Sequence, residues 1–289
     1  MKMSEILRIA IQKKGRLSEK SLAIISQCGI KFGSDERVLK ERATNFPLEF
    51  LYMRDDDIPA YIRDGVADIG IVGRNEMDEQ GLPLVVLRDL GFSKCRLSIA
   101  VPHDFPYSGL KSLEGARIAT SYPNILKGIL EENTVSASFV EVSGSVELTP
   151  AVGIADAICD LVSTGATLAM NGLREVETIY TSTAVMIGRP EMGSTAKEAI
   201  LERLLLRIDA VMKATSYKYI MFNLPVEHVQ QVSALIGGLK SPTVTPLLSE
   251  GWVSVQSVVG EDRFWDVFEQ LKELGAQGIL VTPIEKMTE

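Results

Sequence analysis

An apolar run of strand length that ends in small hydroxyl residues and glycine is the part of this sequence with the clearest chemical use. Residues 157–162 (AICDLV) lead into Ser163, Thr164, Gly165, Ala166 and Thr167, and a helix is expected to begin near Leu168. Such a loop turns several backbone N–H groups toward one point, the helix start adds positive potential, and hydroxyls supply further donors; a phosphate monoester fits there. A capped turn without ligand has the same composition, so both readings stand on local chemistry alone. Asp156 and Asp160 sit on the approach, where a carboxylate accepts from ribose hydroxyls or helps to place a metal. A second set of groups follows the first strand, where Lys13, Lys14 and Arg16 precede a helix, and Arg54 closes a later strand. These are the ends of parallel strands at which ligand crevices form, although a solvated loop would carry the same cations. Asp55 and Asp56 are candidates for metal or ligand contact, and Asp57 for a helix cap.

The elements that must position these groups alternate. Residues 7–11 read as a strand, followed by a helix with Ser18 as N-cap and Leu22, Ile25 and Cys28 on one face. Residues 48–53 and 69–72 are strands separated by a helix with Pro59 in its first turn, a βαβ unit that implies a parallel sheet. Strands at 96–101, 117–120, 139–142, 157–162 and 184–187, with a helix at 125–130, continue the theme. The segment GVADI at 65–69 resembles GIADA at 153–157, and each is followed by a Gly-Leu pair, Gly81-Leu82 and Gly172-Leu173. The second copy is longer, which leaves room for the hydroxyl-rich loop. Two similar α/β lobes with a cleft between them account for this pattern. After residue 216 the order is strand, helix, two strands, helix and strand, the βαββαβ pattern of ferredoxin-like modules. That module offers few catalytic groups, so regulation or assembly is its expected work.

Composition narrows the function classes. The chain has 289 residues, 46% hydrophobic and 24% charged, enough for about two compact units with substantial cores. A net charge of −8 disfavours a general nucleic-acid binder, while leaving room for a small anion held by local cations. Cys28, Cys95 and Cys159 are widely spaced and read as packing residues; with only His103 and His228 besides, a Cys/His zinc site or disulfide framework is not expected. No Ser/His/Asp or Cys/His nucleophilic set assembles. No signal peptide or apolar span of about 20 residues is evident, so a cytoplasmic protein without membrane or nucleic-acid partners is expected.

Residues 152–168 (VGIADAICDLVSTGATL), extended by NGLREV at 171–176, resemble the signature of the ATP phosphoribosyltransferase family. QKKGRLS at 12–18, RDDDIP at 54–59, IATSYP at 118–123 and PIEKM at 283–287 match as well, and the similarity runs nearly end to end. The resemblance is to the long form with its own regulatory domain. It implies an α/β fold: a two-lobed, periplasmic-binding-protein type II-like catalytic part plus a C-terminal ferredoxin-like (βαββαβ, ACT-like) domain. The expected divisions are 1–93 with 184–210 for lobe I, 94–183 for lobe II, and 211–289 for the regulatory domain. The implied reaction joins ATP and phosphoribosyl pyrophosphate (PRPP), with Mg2+, as the first step of histidine biosynthesis. Feedback inhibition by histidine and homo-oligomers, dimers assembling into hexamers, are implied with it. Carried onto this chain, Ser163, Thr164, Gly165, Ala166 and Thr167 would hold the 5-phosphate of PRPP, with Asp156 and Asp160 near the ribose or its metal. Lys13, Arg16 and Arg54 would face pyrophosphate or the triphosphate, and Tyr122 the adenine or ribose. The histidine pocket is expected near Ser241 and Thr243, and near Ala276 and Gly278. A non-enzymatic solute-binding protein, a metabolite-sensing regulator and another phosphoribosyltransferase are the rival readings. The first lacks an export signal, the second a helix-turn-helix, and the third is set aside only by the full-length resemblance.

Overall fold

The computed structural model describes residues 5–33, 37–163, 165–236 and 241–288. The chain divides into two compact units, residues 1–23 with 30–200, and residues 24–29 with 201–289. The first unit opens with β1 (Leu7–Gln12), α1 (Arg16–Gln27), β2 (Lys40–Arg42), β3 (Leu48–Met53), α2 (Ile58–Arg63), β4 (Ile69–Gly73), α3 (Arg74–Gln80) and β5 (Val85–Asp89). A second lobe follows with β6 (Cys95–Pro102), β7 (Arg117–Thr120), α4 (Pro123–Glu132), β8 (Ser138–Glu141), β9 (Ala157–Val162), α5 (Ala166–Met170) and β10 (Leu173–Ser182). The chain then returns to the first sheet as β11 (Ala184–Gly188) and enters α6 (Thr195–Thr215).

The two sheets share one plan. The first runs β2-β3-β1-β4-β11-β5, with β1 parallel to β3 and β4 and β11 antiparallel to both of its neighbours. The second, taken as β8-β7-β9-β6-β10, repeats the last five strands of that order: β7 is parallel to β8 and β9, and β6 is antiparallel to β9 and β10. This is the two-lobed, periplasmic-binding-protein type II-like arrangement. Each central strand is buried on both faces, as parallel strands covered by helices must be; Ile9, Ile11, Ile69, Ile71, Ile118, Ile158 and Cys159 are inaccessible to solvent.

The internal similarity of the sequence is a repeated corner of structure. The N–H groups of Val66 and Ala67 both donate to the Tyr61 carbonyl, and those of Ile154 and Ala155 both donate to the Thr149 carbonyl. Gly65 and Gly153 take φ of +75° and +73° to make the turn, a conformation that favours glycine. Asp68 N–H then donates to the Arg8 carbonyl at 3.0 Å while Arg8 N–H donates to Asp68 Oδ2 at 2.8 Å. Asp156 repeats both bonds with Arg117, at 2.8 and 2.9 Å. In each lobe the aspartate therefore locks the start of one central parallel strand to the start of the next.

Packing is close where α2 crosses β4. A Cβ on Gly70 would stand 2.6 Å from Ile58 Cγ2, 2.9 Å from Ile62 Cδ1 and 3.2 Å from the Ala10 carbonyl oxygen. Gly70→Ala is expected to destabilise the protein by about 1–3 kcal/mol through overpacking, read as a lower urea midpoint at unchanged slope.

Two local expectations are corrected. Helix α1 starts at Arg16, two residues before the expected cap: Gly15, at φ +103°, supplies the turn and its carbonyl accepts from Glu19 N–H at 3.1 Å. Ser18 lies buried inside the first turn. Asp57 does precede α2, but its carboxylate makes no capping bond, because residues 55–57 already form a 3-10 turn that leads into the helix.

The second unit carries β12 (Tyr217–Pro225), α7 (Val229–Ile236), β13 (Thr243–Pro246), β14 (Trp252–Gly260), α8 (Phe264–Glu273) and β15 (Gln277–Pro283). Its sheet runs β13-β14-β12-β15 with every pair antiparallel, the ferredoxin-like order. Alternate residues Ile220, Phe222 and Leu224 meet Val253, Val255, Val267 and Leu271 on the helix-covered face. Both tryptophans of the chain are here: Trp252 pairs with Pro225 at the start of β14, and Trp265 is exposed on α8 against Phe264 and Phe268. Among the described residues no helix is long and apolar enough to cross a membrane.

Candidate active site

The C-terminal ends of the parallel strands gather most of the expected site residues into two rows. In lobe I, Gln12 lies beside Met53 in register, so Lys13 and Arg54 emerge as neighbours, and Lys13 N–H donates to the Met53 carbonyl at 2.8 Å. Arg16 follows on the first turn of α1. Neither Lys13 nor Arg16 forms an ion pair among the described residues. Arg54 is 79% exposed and grips Asp56 through two hydrogen bonds of 2.9 and 2.7 Å. In lobe II, Thr120 lies beside both Cys159 and Glu141, which sets Tyr122, Asp160 and the loop after Val162 on one edge.

Helix α3 ties the two edges together. Tyr122 Oη donates to Glu76 Oε1 at 2.8 Å and accepts from Asn75 Nδ2 at 3.2 Å. Glu79 accepts from the N–H groups of Asn124 and Ile125 at the start of α4, and Tyr180 donates to Asp78 at 2.6 Å. Four neighbouring side chains of lobe I thus bond to lobe II. Burial pushes the Glu76 carboxyl above the usual range, with Asp55, Asp56 and Glu79 adding to the rise against the Tyr122 bond. Tyr122 itself is packed into the lobe II core, and burial followed by the Glu76 charge raises its phenol. Its hydroxyl is engaged in this bridge.

The two helices that leave the central strands differ in what their first turns bind. At α3, Arg74 N–H donates to the Thr183 carbonyl and Asn75 N–H to Ser182 Oγ, at 2.9 and 3.1 Å. At α5, the N–H groups of Ala166 and Thr167 have no hydrogen-bond partner among the described residues. Gly165 precedes them at φ +77°, and Ser163, Ala166 and Thr167 are exposed. Thr164 lies outside the described residues. Among the described residues the start of α5 thus lacks the partners that fill its counterpart in lobe I.

The two aspartates part company. Asp160 lies near the loop end of β9, half-buried, with its Oδ1 accepting from Leu161 N–H at 2.7 Å. Burial raises its carboxyl, Glu147 adds to the rise, and the Leu161 bond opposes it. Asp156 precedes the other end of the same strand, about 13 Å away at about 3.3 Å per residue. Its carboxylate is taken by the Arg117 backbone and by a fork of 2.7 and 3.2 Å from the Arg117 side chain, which holds it below the usual range. Asp156 belongs to the lobe corner, as Asp68 does, and does not reach the loop.

Sequence reasoning missed the support under the loop. Arg96 Nη1 donates to the Ser163 carbonyl at 3.1 Å, and its other donors form a fork to Glu175 at 2.5 and 2.6 Å. Only Glu175 carried a signal, as part of the segment that extends the family signature. The thiols also find their place: Cys28 and Cys159 are buried and Cys95 partly so, and burial raises all three, Cys28 to about 11.

Comparison with known proteins decides the family. The profile described as ATP phosphoribosyltransferase matches residues 54–210, and the one described as HisG, C-terminal domain, matches residues 214–286. A curated ATP phosphoribosyltransferase from Cytophaga hutchinsonii is 55% identical over 285 residues, covering 99% of both chains. The chain belongs to the ATP phosphoribosyltransferase family.

A second family relative, from Phocaeicola vulgatus, is 49% identical over 282 residues, covering 98% of this chain and 99% of its own. Among solved structures, the ATP phosphoribosyl transferase (HisG:HisZ) complex from Thermotoga maritima is similar at a TM-score of 0.60 and 28% identity. The match covers 71% of this chain and 99% of that one. As an ATP phosphoribosyltransferase the chain is a pentosyltransferase of histidine biosynthesis, acting at the first step. In this ATP phosphoribosyltransferase the four residues expected around histidine fall on opposite sides of one sheet. Ser241 and Thr243 lie at the β13 edge, Ala276 and Gly278 at the β15 edge. Three strand spacings separate the edges, about 14 Å, so a single histidine cannot touch both pairs within one copy.

Proposed function

We propose that the chain transfers the 5-phosphoribosyl group of PRPP to N1 of ATP, giving N1-(5-phosphoribosyl)-ATP and pyrophosphate, under inhibition by histidine. The observation that carries the placement of this chemistry is the start of α5, shortly after Asp160 in the chain, where the Ala166 and Thr167 N–H groups have no partner among the described residues. Ser163, Gly165, Ala166 and Thr167 hold the 5-phosphate through backbone N–H groups and hydroxyls. Asp160, with no side-chain partner among the described residues, accepts from a ribose hydroxyl. Lys13 and Arg16 neutralise the pyrophosphate or triphosphate, and Arg54 joins them by exchanging Asp56 for a phosphate oxygen. Tyr122 acts indirectly, by holding the crevice edges together through Glu76.

Departure of pyrophosphate leaves oxocarbenium character at C1, which adenine N1 attacks from the opposite face. The protein's share is to hold the two substrates in line and to stabilise the separating charges, without a covalent nucleophile. Mg2+ is the proposed cofactor. That ion keeps several waters and binds one or two carboxylates together with substrate phosphates, and Asp160 fits such a demand. When bound, it neutralises the negative charge that develops on the leaving pyrophosphate.

Histidine is proposed to act on the second unit, between copies, since one copy does not bring Thr243 and Gly278 together. Assembly into dimers and hexamers is proposed with it, supported by Leu248, Trp265 and Leu280, which stand exposed on that unit. A cytoplasmic setting goes with the pathway. The test is an absorbance assay for phosphoribosyl-ATP with ATP, PRPP, Mg2+ and pyrophosphatase, with and without histidine. Product suppressed by histidine is expected. Product indifferent to histidine would remove the regulatory reading, and no product from a folded sample that binds PRPP would point to another acceptor base.

A further inference from the structure

We propose that Arg96 and Glu175 are positioning residues for the phosphate loop, with Arg96 holding the Ser163 carbonyl and Glu175 holding Arg96. This rests on the reading that residues 163–167 bind the 5-phosphate of PRPP. Register places Arg96 on β6 beside Val162, the last residue of β9 before the loop. Its guanidinium has a rigid fork, and all three nitrogens are engaged: Nε and Nη2 on Glu175, and Nη1 on the Ser163 carbonyl. Glu175 is fixed in turn by Ser98 Oγ, which donates to Oε1 at 2.8 Å. Strands β6 and β10 thereby hold the Ser163 carbonyl at the foot of the loop. Among the described residues the other side-chain donor to this segment is Asn171, whose Nδ2 reaches the Thr167 carbonyl at 2.9 Å, at the far end from Ser163.

Charge gives the pair a second task. A Cβ on Gly165 would stand 3.9 Å from Glu175 Oε2, so this carboxylate lies directly under the turn that receives a phosphate. Arg96 neutralises it there and holds its carboxyl below the usual range. Loss of Arg96 alone removes the anchor and leaves an unpaired carboxylate beside the phosphate. Loss of both charges removes the anchor without that repulsion.

The experiment is a double-mutant cycle on the full-length protein, with steady-state kinetics and calorimetric titration with ribose 5-phosphate. Arg96→Gln is expected to raise KM for PRPP about 10- to 30-fold and weaken ribose 5-phosphate binding similarly, with kcat and KM for ATP within about twofold. The double variant Arg96→Gln with Glu175→Gln is expected to regain part of that loss, which general destabilisation would not produce. If Arg96→Gln does not fold, Arg96→Lys, which keeps the charge but not the fork, is measured in its place and is expected to show a smaller rise in KM for PRPP alone. Thr167→Val separates the two ideas. Should it weaken ribose 5-phosphate while the Arg96 variant binds normally, the positioning role is overturned and the loop reading stands. Should neither variant weaken binding, the loop reading falls and the proposal with it.

Discussion

Asp160→Asn is expected to fold normally and lose on the order of 100-fold in kcat/KM for PRPP, the scale at which a group facing the reacting sugar matters. Asp156→Asn is expected to keep that activity and lower the melting temperature instead, because its partner is Arg117 at the lobe corner. The contrast is sharp because both aspartates belong to one strand and its preceding turn. Ionisation adds an independent signature. Burial raises the Asp160 carboxyl above the ordinary aspartate range, so its charged form is reached only at correspondingly higher pH. In the wild type, kcat/KM for PRPP should therefore rise with pH through that ionisation, and the limb should be missing from Asp160→Asn. Equal activity of wild type and Asp160→Asn across the pH range would remove Asp160 from the site.

The largest effect on stability is expected from Lys197→Met. Asp68 is 2% exposed and receives Lys197 Nζ at 2.8 and 2.9 Å, with Arg189 Nη2 at 3.6 Å and the Arg8 N–H at 2.8 Å. Removing the ammonium leaves a buried carboxylate short of its principal counter-charge, which costs about 3–5 kcal/mol where such pairs have been broken. Chemical denaturation should show this as a lowered midpoint. Lys197→Met combined with Asp68→Asn should recover part of the loss, since the uncompensated charge goes with the second substitution. A single variant as stable as the wild type would mean that Arg189 and water satisfy Asp68 unaided.

Residues 157–162 and 184–187 could be read from the sequence because strands buried on both faces are short, apolar and bounded by glycine, hydroxyl residues or charge. The turn after Val162 was equally visible, since small hydroxyl residues and glycine in a row mark the end of a strand. The role of Asp156 was not, because an aspartate beside a strand looks the same whether it faces a ligand or a neighbouring backbone. Its repeat with Asp68 held the answer: both copies make the same backbone bonds to the neighbouring strand, so the shared aspartate belongs to the shared corner. Arg96 and Glu175 lie 79 positions apart and meet only because β6 and β10 pair antiparallel. The partner of Tyr122 was not legible, since Glu76, which engages its hydroxyl, lies 46 positions away on the other lobe.

The placement of Trp252 and Trp265 has a practical corollary. Because the first unit contains no tryptophan, the indole emission of this protein originates entirely in the ferredoxin-like unit. Excitation near the red edge of indole absorption, where tyrosine contributes little, gives a built-in optical probe of that unit. The two fluorophores sample different surroundings, Trp252 at a strand end and Trp265 exposed on a helix within an aromatic cluster. Ligand titrations and unfolding curves can therefore be followed on the ferredoxin-like unit without labels, while product absorbance reports on the reaction, so the two signals can be timed separately in a single sample.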